Sequence, residues 1–269
     1  MSAIEMVAVT DVGIKRDHNE DCVNIDIGNG IAVLADGMGG HNAGEVASSM
    51  AVEFIMRLLK EGLKKFPQGK LDEDTGFSRE AILARDSVVT VNNVIIETAQ
   101  ARPECSGMGT TVVVAVFYGN RIAVAHVGDS RMYLLRDDYL SHVTEDHSLI
   151  QEQVRRGLLT AEDARNSAIK NLVTRALGVE QDVEADVVED IAVVGDIYMM
   201  CSDGLTDVVP DEAIRLTMLE HRNNLDLCAK TLINLANDAG GPDNISVILI
   251  RVKQPFSRKK GFFSRLFGG

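Results

Sequence analysis

Apolar and polar positions along this chain of 269 residues follow two periods. Short, nearly unbroken apolar runs, most of them closed by Gly, Asp, Asn or Pro, stand at residues 4–10, 22–27, 31–35, 112–118 and 121–127, and again at 131–136, 139–143, 185–191, 196–202 and 244–252. Runs of that length between turn signals read as strands, and the uninterrupted ones as strands buried on both faces. Between them lie stretches with a helical period. In 43–61, Ala43, Val46, Ala47, Met50, Ala51, Phe54, Ile55 and Leu58 form one apolar stripe, and Asn42 with Glu45 makes a capping-box pattern. A second helix is predicted over 79–101, capped by Ser78 and closed by Arg102-Pro103, with further helices over 210–220 and 224–238. Strands are not separated one by one by helices, so a parallel sheet is disfavoured. The order predicts an α+β fold, a central β-sandwich of two antiparallel sheets with helices packed outside.

Residues 144–180 break the pattern. Thr144-Glu145-Asp146-His147-Ser148 opens a helical segment, and Glu152, Arg155, Arg156, Glu162, Asp163 and Arg165 make its continuation strongly charged. This stretch reads as short helices forming a flap. The chain is long enough for one or two domains. Acidic candidates spread from Glu20 to Asp243 argue for one, over 1–253, followed by a distinct tail, 254–269.

Chemistry collects where the apolar runs stop. The run at 31–35 ends in Asp36-Gly37, that at 197–201 leads to Asp203-Gly204, that at 121–127 leads to Asp129, and Asp243 stands just before the last run. A single Asp-Gly is most simply a turn. Four carboxylates at strand ends are different, because if those ends converge the charges repel one another unless a hard divalent cation joins them. Oxygen-only ligands suit Mg²⁺ or Mn²⁺. The loop 10–21 is dense in charge. Arg16, Glu20 and Asp21 form either a solvated salt-bridge cluster or a site where the arginine fork grips a phosphate and the carboxylates hold water at a metal. His41 reads equally as a helix-capping or surface residue and as a proton donor beside Asp36.

Charge then narrows the partners. A net charge of −13 disfavours nonspecific nucleic-acid binding. The N-terminus lacks the basic and apolar segments of a signal peptide, and no run is long enough to span a membrane. Four scattered cysteines without zinc spacing read as reduced thiols, which points to the cytoplasm. The tail opposes the rest. Residues 251–269 carry six basic and no acidic residues and half of the eight phenylalanines. A tail of that kind folds back on the acidic body, docks to an acidic partner, or attaches weakly to an anionic membrane.

Taken in order, Arg16-x-x-x-Glu20-Asp21, Asp36-Gly37-Met38-Gly39-Gly40, Gly109-Thr110-Thr111, Gly128-Asp129-Ser130-Arg131, Ser202-Asp203-Gly204 and Asp243-Asn244 resemble the metal-dependent protein phosphatases, the protein phosphatase 2C family in its bacterial form. The resemblance spans residues 5–252 and implies a β-sandwich flanked by pairs of helices. It implies a serine/threonine phosphatase that hydrolyses phosphoserine and phosphothreonine with water activated at two Mn²⁺ or Mg²⁺ ions. Asp36 would bridge the two ions, the Gly37 carbonyl would bind one, Asp203 and Asp243 would complete the set, and Asp129 would hold a weaker third ion. Arg16 would bind the phosphate and Glu20 the metal-bound water. Animal members carry a histidine implicated as general acid where Met38 stands, which leaves His41 as the candidate here. The implied partners are phosphorylated proteins, among them a cognate serine/threonine kinase and its substrates, met by a monomer. The competing reading is a catalytically weak, phosphatase-like regulator that binds phosphoproteins.

Overall fold

A computed structural model describes residues 2–40, 43–160 and 172–256. Among these residues eleven strands build two sheets. The five-stranded sheet has the order β1 (Ile4–Asp11), β11 (Ile245–Val252), β10 (Ile197–Cys201), β7 (Arg131–Arg136), β8 (Tyr139–His142). The six-stranded sheet runs β2 (Asp21–Asp26), β3 (Ile31–Met38), β5 (Val112–Tyr118), β6 (Arg121–Val127), β9 (Asp186–Ile191), with the two-residue β4 (Gly109–Thr110) pairing the end of β3. Each recorded strand pair is antiparallel.

The unbroken apolar runs have a direct physical reason: their strands are covered on both faces. Ala32 and Leu34 of β3, with Val113 and Ala115 of β5, point between the sheets, where they meet Met132, Leu134, Tyr198, Met200, Ile248 and Ile250. Val33, Ala35, Val112, Val114 and Val116 point the other way, onto α1 (Ala43–Gly62) and α2 (Arg79–Ala101). The five-stranded sheet buries Tyr133, Met199, Cys201, Val247 and Leu249 under α5 (Asp211–Glu220) and α6 (Leu225–Asp238). The result is a four-layer helix–sheet–sheet–helix sandwich.

Most element limits agree with the sequence reading to within a residue or two, but β3 runs on to Met38, three residues past its apolar run, and the short β4 and a 3₁₀ turn at Pro103–Cys105 had no signal of their own. The 144–148 stretch is not helical: Ser148 caps α3 (Leu149–Arg155), its Oγ accepting the Gln151 N–H at 3.3 Å. Asp203, just past the strand as the sequence placed it, opens a one-turn helix that the sequence did not show, α4 (Asp203–Thr206). Ser202 does not cap that turn, because its hydroxyl donates to Asp21 Oδ2 at 2.8 Å and accepts the Ser246 N–H at 2.9 Å. Asn42, His41, residues 161–171 of the flap and residues 257–269 of the tail lie outside the described residues.

Candidate metal centre

Antiparallel pairing puts the start of one strand beside the end of its neighbour. Asp21 opens β2 directly opposite Asp36 near the end of β3. At the same end of the sandwich β10 runs out toward Asp203 while β11 begins just after Asp243, with Cys201 paired to Val247 and the Ser202 N–H on the Ser246 carbonyl. β1 leads into the 12–20 loop there, and β6 leads through Gly128 to Asp129. Topology thus delivers Arg16, Glu20, Asp21, Asp36, Asp129, Asp203 and Asp243 to one end of the molecule.

Local chemistry fixes them in place. The Asp36 carbonyl accepts both the Thr111 N–H and the Thr110 hydroxyl at 2.8 Å, so β3 is held where its last carboxylate emerges. Gly37 donates its N–H to the Glu20 carbonyl, and a Cβ at Gly37 would come within 2.2 Å of the Gly44 carbonyl in the first turn of α1. Only glycine permits that approach. Gly13, in the left-handed region at φ +79°, packs so tightly on the Asp243 backbone that a Cβ would lie 2.1 Å from its carbonyl oxygen. Asn244 finishes the clasp: its Oδ1 accepts the Glu20 N–H, and its Nδ2 donates to the Val12 and His18 carbonyls.

The carboxylates feel one another. Burial first, then the charges of Asp21, Asp203, Asp129 and Asp243, push the Asp36 carboxyl well above the ordinary carboxylate range. Burial, Asp129 and Asp243 do the same to Asp203. Burial raises Asp21 and Asp129 to about 6 each. Asp243 has a partner, since Arg16 Nη2 donates to its Oδ2 at 2.7 Å. Glu20 Oε1 and Asp21 Oδ1 are buried without a hydrogen-bond partner, a costly state for carboxylate oxygens. Crowded acids, orphaned buried oxygens and an all-oxygen ligand set among the described residues fit hard divalent cations.

Among the described residues, the group whose three ligand atoms lie within 4.8 Å of one another is not part of this set; it is His126, His147 and Asp186. Two ions share and spread their ligands, and bare carboxylates repel, so the acid cluster has no reason to draw three oxygens that close by itself. The histidine group has its own internal logic. His147 Nδ1 accepts the Gly128 N–H at 3.1 Å, so the neutral ring carries its proton on Nε2, facing Asp186 Oδ2 at 3.4 Å. His126 Nε2 lies 2.9 Å from the Glu145 carbonyl and must donate to it. A metal on His147 Nε2 would have to displace that proton while Nδ1 still accepts, so this trio is a poor cation site.

Sequence reasoning named the carboxylates but not their support. Asn244, Ser202 and Arg131, the last in a half-buried bidentate pair with Asp146 at 2.7 Å, were visible only as parts of motifs. His18, half exposed and 3.5 Å from Glu20 Oε1, stands at the site with no signal beyond its place two residues before that glutamate.

Residues 15–244 match the family model of protein phosphatase 2C. The chain is 41% identical to the serine/threonine phosphatase stp of Listeria innocua over 244 residues, which is 90% of this chain and 93% of that one. It is 36% identical to the serine/threonine protein phosphatase PstP of Mycobacterium tuberculosis over 93% of this chain but 45% of that longer protein. The crystal structure of the Mycobacterium tuberculosis phosphatase PstP/Ppp superposes with a TM-score of 0.82 at 35% identity, covering 93% of this chain and 99% of that one. A structure of the PstP catalytic domain in complex with two manganese ions gives 0.79 at 36% identity, covering 93% and 99%. The chain belongs to the protein phosphatase 2C family. It is a metal-dependent serine/threonine protein phosphatase of the bacterial kind.

Proposed function

We propose that this enzyme hydrolyses phosphoserine and phosphothreonine at the carboxylate cluster, with two Mn²⁺ or Mg²⁺ ions held by Asp36, the Gly37 carbonyl, Asp203 and Asp243, and a weaker third ion at Asp129. The observation that carries the reading is the convergence of these carboxylates at one end of the sandwich, with Glu20 Oε1 and Asp21 Oδ1 buried and unpartnered among them, a demand that divalent cations would relieve. When bound, the ions supply the positive charge that acidifies an attacking water and neutralises the phosphoryl group. Asp36 orients that charge from a strand end clamped by Thr110 and Thr111. Glu20 and Asp21, with their unpartnered oxygens, accept hydrogen bonds from water at the rim. Arg16 leaves its single bond to Asp243 and presents its planar fork to the phosphate. His41 is the candidate to protonate the leaving alkoxide. The weak-regulator alternative loses force because each carboxylate that the family pattern needs is present.

The partners in this reading are phosphorylated proteins, among them a cognate serine/threonine kinase and its substrates. Among the described residues no helix is long and apolar enough to cross a membrane, and the basic, Phe-rich tail serves localisation rather than chemistry. The deciding experiment assays the purified chain with Mn²⁺ on a phosphothreonine peptide and on a phosphodiester. The reading expects hydrolysis of the peptide alone, abolished by a chelator. Full activity at zero measured metal content defeats it.

A further inference from the structure

Asp36 and Met38 lie two apart on β3 and therefore point to the same side of the strand. Beyond Met38 the structure holds a cavity of about 450 Å³. Met38, Leu172, Val179 and Val183 give it apolar walls. Its outer wall is the returning stem of the flap, and that stem is fixed. Leu177 exchanges two backbone hydrogen bonds with Thr110, at 2.9 and 3.1 Å, and Thr110 pairs with Gly37 in turn. Asn92, fully buried on α2, accepts the Gly178 N–H at 2.8 Å and donates to the Glu180 and Gln181 carbonyls. At the other end of the stem the Thr174 N–H bonds the His147 carbonyl at 2.7 Å. The cavity is thus preformed at a set distance from the metal strand, which is what a recognition subsite requires.

Its rim has one sign of charge. Glu180, Asp182 and Glu184 line it and are exposed, and among the described residues they have no ion-pair partner. Arg175, the one cation in the lining, is taken by Asp186 at 3.1 Å. Three free carboxylates around an apolar floor complement a segment that carries an aliphatic or aromatic residue with Lys or Arg beside it. An extended substrate advances roughly 3.3 Å per residue, so the span from Asp36 to Met38 corresponds to about two positions.

We propose that this cavity is a specificity subsite for phosphoprotein substrates, taking an apolar side chain about two positions from the phosphorylated residue and reading adjacent basic residues through Glu180, Asp182 and Glu184. The inference rests on the phosphatase reading above and adds the substrate class.

The test compares two phosphothreonine peptides on the full chain with Mn²⁺. One carries Leu or Phe two positions from the phosphothreonine and Lys or Arg beside it; the other has Ser and Glu at those positions. Each design is made on both sides of the phosphothreonine, and p-nitrophenyl phosphate, too small to reach the cavity, gives the reference rate. The apolar, basic peptide should have the higher kcat/KM by roughly tenfold or more, the usual yield of a filled apolar pocket. Charge reversal of the three exposed acids (E180K, D182K, E184K) should cut that ratio at least several-fold, mainly through KM. Val179→Asn, also at an exposed position, should remove the apolar part of the preference. Equal kcat/KM for both peptides, or a ratio untouched by the charge reversal, overturns the subsite while leaving the phosphatase standing. No turnover of either peptide overturns both.

Discussion

Two buried polar clusters lie at the same end of this molecule and solve opposite problems. The Asp36–Asp203 cluster gathers acids that raise one another, leaves Glu20 and Asp21 oxygens unpartnered, and is the one proposed to take up cations. The His126–His147–Asp186 cluster, joined to it through Gly128, is met in part by the fold itself: the rings stack at 4.8 Å, one accepts a backbone N–H and one donates to a carbonyl, and Asp186 pairs with Arg175 and lies 3.4 Å from His147, while His126 Nδ1 and His147 Nε2 have no hydrogen-bond partner. Burial, above all, drives the two histidines below their usual pKa, toward the neutral form. Proximity of titratable groups is therefore a weak guide to a metal site. The unmet demand for charge is the stronger one, and here it belongs to the cluster with the looser spacing.

The sharpest way to break this contrast is to remove the demand at its centre. Asp36→Asn keeps the shape and deletes the carboxylate that both ions are proposed to share. Turnover on a phosphothreonine peptide should fall by at least roughly 10²–10³-fold, the scale of losing one electrostatic catalytic group, and added Mn²⁺ should not restore it. Wild-type kcat in this variant removes Asp36 from the site. Arg16→Ala should act next and differently. Its fork is assigned to the phosphate in the ground state, so KM should rise by roughly tenfold or more, the value of a charge-assisted hydrogen bond, while kcat moves less. A fall in kcat at constant KM would place Arg16 in the chemistry instead.

Protons should separate the clusters without any substitution. Asp21 and Asp129 stand at about 6 in the folded protein against about 3.9 unfolded. A carboxyl raised on folding binds more protons in the native state, so metal-free stability should rise as pH falls from 7 toward 5. The histidines have the opposite sign: lowered in the fold against about 6.5 unfolded, they cost stability once pH drops below that value. In chelator the carboxylates should win, because several are raised, and Tm should climb by at least about 2–4 °C. Saturating Mn²⁺ should raise Tm at pH 7 and flatten or reverse that slope. Calorimetry with and without metal reads both, and a metal-free Tm that falls steadily from pH 7 to 5 contradicts the charge-starved cluster.

How far the sequence could foresee this depends on which interactions are local. Apolar runs and turn signals exposed the strands, and the acids at their ends exposed the chemistry, because a covered strand must be apolar and an acid at its end is conspicuous. Ser202 as an anchor for Asp21 joins residues 181 apart, and Asn244 reaches the Glu20 N–H across 224; no periodicity reports such contacts. Asn92 looks like one polar residue on a helix, yet its side chain makes three hydrogen bonds from α2 to the Gly178–Gln181 stem. The short α4 was hidden for a similar reason, since Ser202, the natural cap, spends its hydroxyl elsewhere.

The smallest effect should come from Asp129→Asn, and it tests the gradation inside the acid cluster. Asp129 is raised first by burial and then by Asp146, which Arg131 grips with two nitrogens. Its own charge is among those that elevate Asp36 and Asp203. If Asp129 serves only a weaker third ion, kcat at saturating Mn²⁺ should drop by less than about tenfold, under 1.4 kcal/mol of barrier. The metal-free protein should meanwhile gain stability at pH 7, where Asp129 is ionised and its removal relieves Asp203. At pH 5 the wild-type side chain is itself protonated, so the gain should vanish. Thermal melts of both proteins in chelator at the two pH values measure the difference. A loss of kcat as deep as that of Asp36→Asn would make Asp129 an equal partner in the main centre, and an equal gain in Tm at both pH values would mean that the asparagine acts through packing rather than charge.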